Sequence, residues 1–268
     1  MNAIDYRAQT VLITGASSGL GAEFARQVAA RGADVVLVAR RLDRLDALAG
    51  ELTEKHGTKA TAIPMDLAAP RAGAALERAL AARGTEVTSV INNAGFATYG
   101  PFHEEDPERL AAEIALDVTS VVDISRTFIE GLRERGDGFL LNVASMAAYQ
   151  AAPALAVYGA AKAFVLNFTE ALWYEARGTG LRVLALSPGA TRTEFFEVAG
   201  DGADGGMRRM EAADVVRTAL AALDRRNPPP SVIAGLSNRL TSLLTRAVSR
   251  RWTTMALGAM MSRPRVAR

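Results

Sequence analysis

Seven short apolar runs, at residues 10–14, 33–39, 59–64, 87–92, 138–144, 181–187 and 231–234, alternate along this chain with longer helix-like stretches. They are rich in Val, Leu and Ile and lack the polar alternation of a strand with one wet face, so each is expected to be buried on both sides. A parallel sheet covered by helices on both faces meets that demand, which predicts a doubly wound α/β fold of the Rossmann type with about seven strands. The chain has 268 residues, 49% of them hydrophobic, enough for one large core. We expect a single nucleotide-binding domain over residues 1–235 and a helical extension over 236–268, either part of that domain or peripheral to it. In such folds ligands bind beyond the carboxyl ends of the strands. Gly15, Asn92, Ser145 and Pro188 all follow predicted strands. Residues 138–161 carry no charge and could span a bilayer by length, yet Asn142, Gln150, Pro153 and Gly159 interrupt them, so they read as a strand plus a loop.

The chemistry concentrates at that same end. Tyr158 and Lys162 are one helical turn apart, so the ammonium can sit near the phenol, whose ordinary pKa of about 10 otherwise makes it a poor acid. Ser145 can donate a hydrogen bond to a carbonyl oxygen that the phenol protonates. Gly15, Gly19 and Gly21 stand between the first strand and a helix starting near Leu20, where a bare backbone and a helix N-terminus suit a pyrophosphate. The second strand ends in Arg40 and Arg41 and has no carboxylate there to grip a ribose hydroxyl, which points to NADP(H) rather than NAD(H). These features together imply a carbonyl-reducing oxidoreductase. The chain has no cysteine, and its two histidines, His56 and His103, are far apart, so no metal site is expected. A net charge of +2 with interleaved signs gives no general nucleic-acid footprint. The first residues lack a hydrophobic signal region, so a cytoplasmic location is expected.

Taken together, TGASSGLG at 14–21, NNAG at 92–95, Ser145, YGAAK at 158–162 and PGATRT at 188–193 resemble the short-chain dehydrogenase/reductase family, over roughly residues 8 to 235. The resemblance implies Tyr158 as catalytic acid or base, Lys162 as its activator and a holder of the nicotinamide ribose, and Ser145 as the group that orients the carbonyl. It implies a cofactor cradle of Gly15, Ser17, Ser18, Gly19, Leu20 and Gly21, with Asp66 and Leu67 at the adenine. Asn93, Ala94 and Gly95 would lie along the central strand's end, and Pro188, Gly189, Thr191 and Thr193 near the carboxamide and phosphates. It further implies a small carbonyl or alcohol substrate and assembly into homodimers or homotetramers.

One position departs from the pattern, because Asp117 stands where the family usually carries an asparagine that bridges a water to the lysine. An ionised Asp117 near Lys162 would raise the lysine's pKa and weaken the positive field on Tyr158; alternatively the position never touches the relay. The substrate pocket is expected between residues 96–102, 146–150 and the glycine-rich segment 194–207, which has the composition of a mobile lid. From Leu236 onward there are seven arginines and no acidic residue, with Leu236, Leu240, Leu243, Leu244, Val248 and Trp252 on helical spacing, predicting one basic amphipathic helix. It could pack over the pocket or a partner subunit, cover the sheet's edge, or rest on an anionic membrane. An intact Ser145, Tyr158 and Lys162 favour an enzyme over a nucleotide-sensing binding protein. The glycine spacing favours a simple dehydrogenase over a sugar epimerase or dehydratase.

Overall fold

The computed structural model describes residues 3–200 and 202–261, so Met1, Asn2, Asp201 and residues 262–268, with Arg263, Arg265 and Arg268 of the basic tail, lie outside the described residues. Seven strands, β1 (Thr10–Thr14), β2 (Asp34–Ala39), β3 (Ala60–Pro64), β4 (Ser89–Asn92), β5 (Phe139–Val143), β6 (Arg182–Ser187) and β7 (Ser231–Ile233), form one sheet in the order β3-β2-β1-β4-β5-β6-β7. Every pairing is parallel. All seven fall inside the predicted runs.

Alternation along each strand sorts side chains to opposite faces. Val11, Ile13, Val35 and Leu37 pack under α1 (Gly19–Ala29), α2 (Leu42–His56) and α8 (Ala212–Leu223). Leu12, Val36, Val38 and Leu140 pack under α3 (Ala72–Ala81), α5 (Ser120–Arg135) and α6 (Ala156–Glu175). Because both faces are covered, neither set can be polar, which is why the strands read as unbroken apolar runs. One exception is a buried polar chain. Asn92 donates to Ser125 Oγ (3.1 Å) and Asn142 Oδ1 (2.9 Å), and Asn142 donates to Thr169 Oγ1 (2.9 Å), tying α5, β4, β5 and α6 together.

The strand order reverses between β1 and β4, whose carboxyl ends therefore open a crevice. A long helical rod enters it as α4 (Pro107–Ile114) and continues as α5, with one widened turn over Ala115–Thr119. A short α7 (Phe195–Ala199) lies at the start of the glycine-rich segment. The stretch 138–161 divides into β5, a single turn at Met146–Tyr149 and the start of α6, and no helix among the described residues is long and apolar enough to cross a membrane.

The basic tail corrects one expectation. It forms two helices, α9 (Leu236–Ala247) and α10 (Arg250–Met261), because Val248 adopts an extended conformation that ends the first. Asn238 and Ser242, polar residues, face the body of the protein, while Leu236, Leu240, Leu243 and Leu244 stay exposed.

Candidate active site

The glycine turn is held by a clasp across the switch point. Thr14 Oγ1 accepts from the backbone N–H groups of Asn93 (2.9 Å) and Ala94 (3.0 Å), and the Asn93 side chain donates to the Thr14 carbonyl (2.9 Å). The Asn93 amide is thus spent on the turn itself. A Cβ on Gly21 would collide with the Gly15 carbonyl, and one on Gly15, where φ is +67°, would lie 2.8 Å from Asn93 Nδ2. Only glycine lets turn and strand end approach this closely. No side chain caps the N-terminus of α1, so its first N–H groups remain open to an anion. The bare cradle with free donors fits a dinucleotide pyrophosphate.

Arg41 sits just before α2, and its side chain turns back over this loop. Its guanidinium donates to Ser17 Oγ (2.9 Å), Ser18 Oγ (3.0 Å) and Glu194 Oε2 (2.9 Å). Arg44, one turn further on, holds the other oxygen of Glu194 at 2.5 Å. The two guanidiniums keep the Glu194 carboxyl below its ordinary pKa. Sequence reading named Arg40 and Arg41; Arg40 is exposed at the cleft's rim, whereas Arg44 and Glu194 were missed as a pair. Asp66, also exposed, accepts from the Ala68 N–H (3.1 Å), and Leu67 is buried against the α3 face.

At the other end of the cleft β5 delivers Ser145, whose Oγ accepts from the Ala147 N–H (3.1 Å) and lies within hydrogen-bonding reach of the Tyr158 phenol. The helical pitch of α6 places Lys162 Nζ 5.6 Å from the Tyr158 ring centroid. That ammonium donates to the Val143 carbonyl (3.2 Å) and pairs with Asp117 Oδ2 at 2.9 Å, and the Asp117 side chain has no exposed surface. The widened turn at 115–119 aims Asp117 inward, in keeping with the frequent use of such turns at functional sites. Asp117 also accepts from the Phe96 N–H (3.0 Å), and a Cβ on Gly95 would lie 2.9 Å from its carboxylate. Of the two readings of Asp117, direct contact with Lys162 is the one realised.

Glu113, equally buried and unforeseen, accepts from the Thr98 N–H (2.9 Å) and Oγ1 (2.8 Å), while its other oxygen has no hydrogen-bond partner among the described residues. Burial pushes its pKa up; Thr98 pulls against that and Asp117 adds to it. Burial likewise raises the Tyr158 phenol, with Lys162 opposing and Asp117 reinforcing. Burial works against the Lys162 ammonium, yet Asp117 and Tyr158 more than offset it, and the pKa is raised. Burial raises Asp117 despite Lys162. At neutral pH the raised phenol is protonated, and beside it the Lys162 ammonium and the Asp117 carboxyl stand 2.9 Å apart. Replacing Asp117 by Asn removes a negative charge that raises both neighbours, so any pH–rate profile that reports the Tyr158 phenol is expected to move to lower pH. Superimposable profiles of kcat/KM against pH for the two proteins would refute that electrostatic role.

Pro188 accepts from the Met146 N–H (2.9 Å), locking the loops after β5 and β6 together. Thr191 is buried with its hydroxyl on the Gly189 carbonyl (2.9 Å), and Thr193 packs beside Gly19. Gly189 lies against Asn238 of α9. The cleft, about 1220 Å³, thus contains the predicted glycine turn, Arg40, Arg41, Asp66, Ser145, Tyr158 and Lys162 in one continuous space. Phe195 stacks at a tilt on Tyr158, with centroids 5.4 Å apart, so the glycine-rich segment reaches the phenol.

The family model described as short chain dehydrogenase matches residues 9–203. The chain is 31% identical over 196 residues to a very-long-chain 3-oxoacyl-CoA reductase of Anas platyrhynchos, a match covering 70% of this chain and 61% of that protein. It is 32% identical to a 7beta-hydroxysteroid dehydrogenase of Collinsella aerofaciens, with 68% of each chain covered. Among solved structures, a short-chain dehydrogenase from Sphingobium yanoikuyae in complex with NADPH is similar at a TM-score of 0.78 and 36% identity, covering 97% of this chain and 98% of that one.

Proposed function

This chain belongs to the short-chain dehydrogenase family, and on that premise we propose that it is an NADP(H)-dependent reductase of apolar carbonyl compounds. One observation carries the reading: a phenol, an ammonium and a serine hydroxyl converge at the end of a cleft that begins at a bare glycine cradle. Tyr158 gives its proton to the carbonyl oxygen, Ser145 donates a hydrogen bond to that oxygen, and Lys162 steadies the phenolate left behind. The glycine cradle would hold NADPH, which would supply the hydride taken up by the carbonyl carbon. The phenol is protonated at neutral pH, as a proton donor must be, and the Lys162 ammonium opposes the rise that burial imposes on it. Asp117 keeps Lys162 charged through the cycle.

The choice of NADP(H) rests on Arg41 and Arg44, whose guanidiniums already share a carboxylate beside Ser17 and Ser18, where a ribose 2′-phosphate could replace it. Arg41→Ala should weaken NADPH binding by about tenfold or more while leaving NADH little changed. Glu194→Gln removes the competing charge and should tighten NADPH by a few-fold, since the pairs it breaks are partly exposed. Titration of each variant with both nucleotides measures these effects; parallel changes for NADH and NADPH would refute the assignment. Apolar walls from Phe96, Leu155, Phe195 and Leu257 favour an aliphatic, aromatic or polycyclic substrate. The test is NADPH consumption over a panel of such ketones and aldehydes. Binding without turnover on any of them would leave a nucleotide sensor in its place.

A further inference from the structure

Helix α9 is packed inside out. Its inner side is polar: Ser242 is buried, and Asn238 donates to the Ala234 carbonyl (2.7 Å) and lies against Gly189. Its outer side is a stripe of Leu236, Leu240, Leu243 and Leu244, each at least 60% exposed. The stripe runs on through Val248 to Trp252 and Met255 of α10, also exposed. A helix in water normally turns such a stripe inward, and a contiguous exposed apolar face marks a surface with a partner. Arg239, Arg250 and Arg251 stand exposed around it, and no acidic residue occurs from Leu236 to the end of the chain.

We propose that this face seats the protein on an anionic lipid bilayer, with the leucines and Trp252 at the level of the acyl-chain boundary and the arginines among the headgroups. Charge decides between occupants. A second copy meeting this face about a two-fold axis would set arginine against arginine with no carboxylate on the same segment to answer it. An anionic membrane supplies the missing sign over the whole face. Trp252 with its two exposed basic neighbours has the composition of an interfacial anchor. Leu244, Val248 and Trp252 also line the cleft, so seating the face would bring the cleft's mouth to the lipid surface. The proposal does not depend on which nucleotide or carbonyl the cleft takes.

The test uses the full chain with vesicles of phosphatidylcholine alone and of phosphatidylcholine mixed with phosphatidylglycerol. Co-sedimentation should be on the order of tenfold or more greater with the anionic vesicles, and should fall as salt is raised. The emission of Trp252 should shift to the blue on binding. Trp173, the other tryptophan, donates to the Pro228 carbonyl (3.1 Å) away from this face, and Trp252→Phe isolates its signal. The pair Arg250→Glu and Arg251→Glu should abolish the preference, and Leu240→Ser with Leu244→Ser should abolish binding to both vesicles; all four positions are exposed, so folding is not at stake. Background sedimentation of the wild type with both vesicle types overturns the proposal. So does a monomer–dimer equilibrium that the leucine variants disrupt without any vesicle binding, which would assign the face to a second copy.

Discussion

Tyr158→Phe should lower kcat by about a thousandfold and leave nucleotide binding and the melting temperature essentially where they were. The phenyl ring keeps its place beside Phe195, at 5.4 Å between centroids, and under the Lys162 ammonium, so only the hydroxyl is lost. With it goes the proposed proton donor, whereas Ser145 can still donate to the carbonyl oxygen; that residual polarisation is why some turnover should survive. Single-turnover kinetics with NADPH and the best substrate from the panel, beside a nucleotide titration, would measure both halves of the expectation. Near-wild-type turnover would mean that the proton comes from elsewhere, and the buried Glu113 carboxyl would become the first group to examine.

Asp117→Ala is expected to cost about 3–5 kcal/mol of stability near neutral pH, because it strands the Lys162 ammonium in a site from which water is excluded. The dependence on pH gives this prediction a distinctive signature. In the wild type the raised Lys162 pKa means that its contribution is present at neutral pH and is lost as pH climbs through the folded-state value. Asp117, also raised, acts in the same sense at lower pH: its contribution is present below its unfolded value and is lost as pH rises through its folded-state value. In the variant only Tyr158 and Glu113 still oppose burial at Lys162, so its pKa falls and the loss of stability with rising pH is smaller than in the wild type. The gap between the two proteins should therefore narrow toward alkaline pH. Denaturant melts across that range would check it; a constant gap would mean a lost packing contact rather than a lost charge. Asp117→Asn keeps an acceptor for the Phe96 N–H and should be milder.

The sheet was legible because a strand buried on both faces has almost no freedom of composition. Its ends were less so: the run 87–92 begins two residues before β4, since Val87 is apolar and half-buried and Thr88 is buried and already bonded by its N–H to the Thr10 carbonyl (3.0 Å). The pairing of Tyr158 with Lys162 and the glycine turn were legible because their spacing is fixed by local geometry, one helical turn or one tight bend. What escaped depends on contacts distant in sequence. Glu113 belongs to a surface-like helical pattern until the loop carrying Thr98 is folded onto it, and Glu194 meets Arg44 across 150 positions. The widened turn that aims Asp117 inward has no residue type of its own. In the tail the apolar period runs unbroken through Val248, so nothing in the sequence announced the extended residue that divides α9 from α10.

The clasp joining Thr14 to Asn93 and Ala94 also bears on how the molecule is made. Its two halves are 79 and 80 positions apart, so a chain emerging from the ribosome owns the glycine turn long before it owns the strand end that shapes it. A nucleotide that binds as proposed can therefore recognise only chains in which β4 has already docked beside β1. It cannot instruct their folding, but by occupying them it withdraws them from the unfolding equilibrium, by RT ln(1 + [L]/Kd) for ligand concentration [L]. The cell's supply of reduced nucleotide would then set how many copies survive quality control as well as how fast each one works.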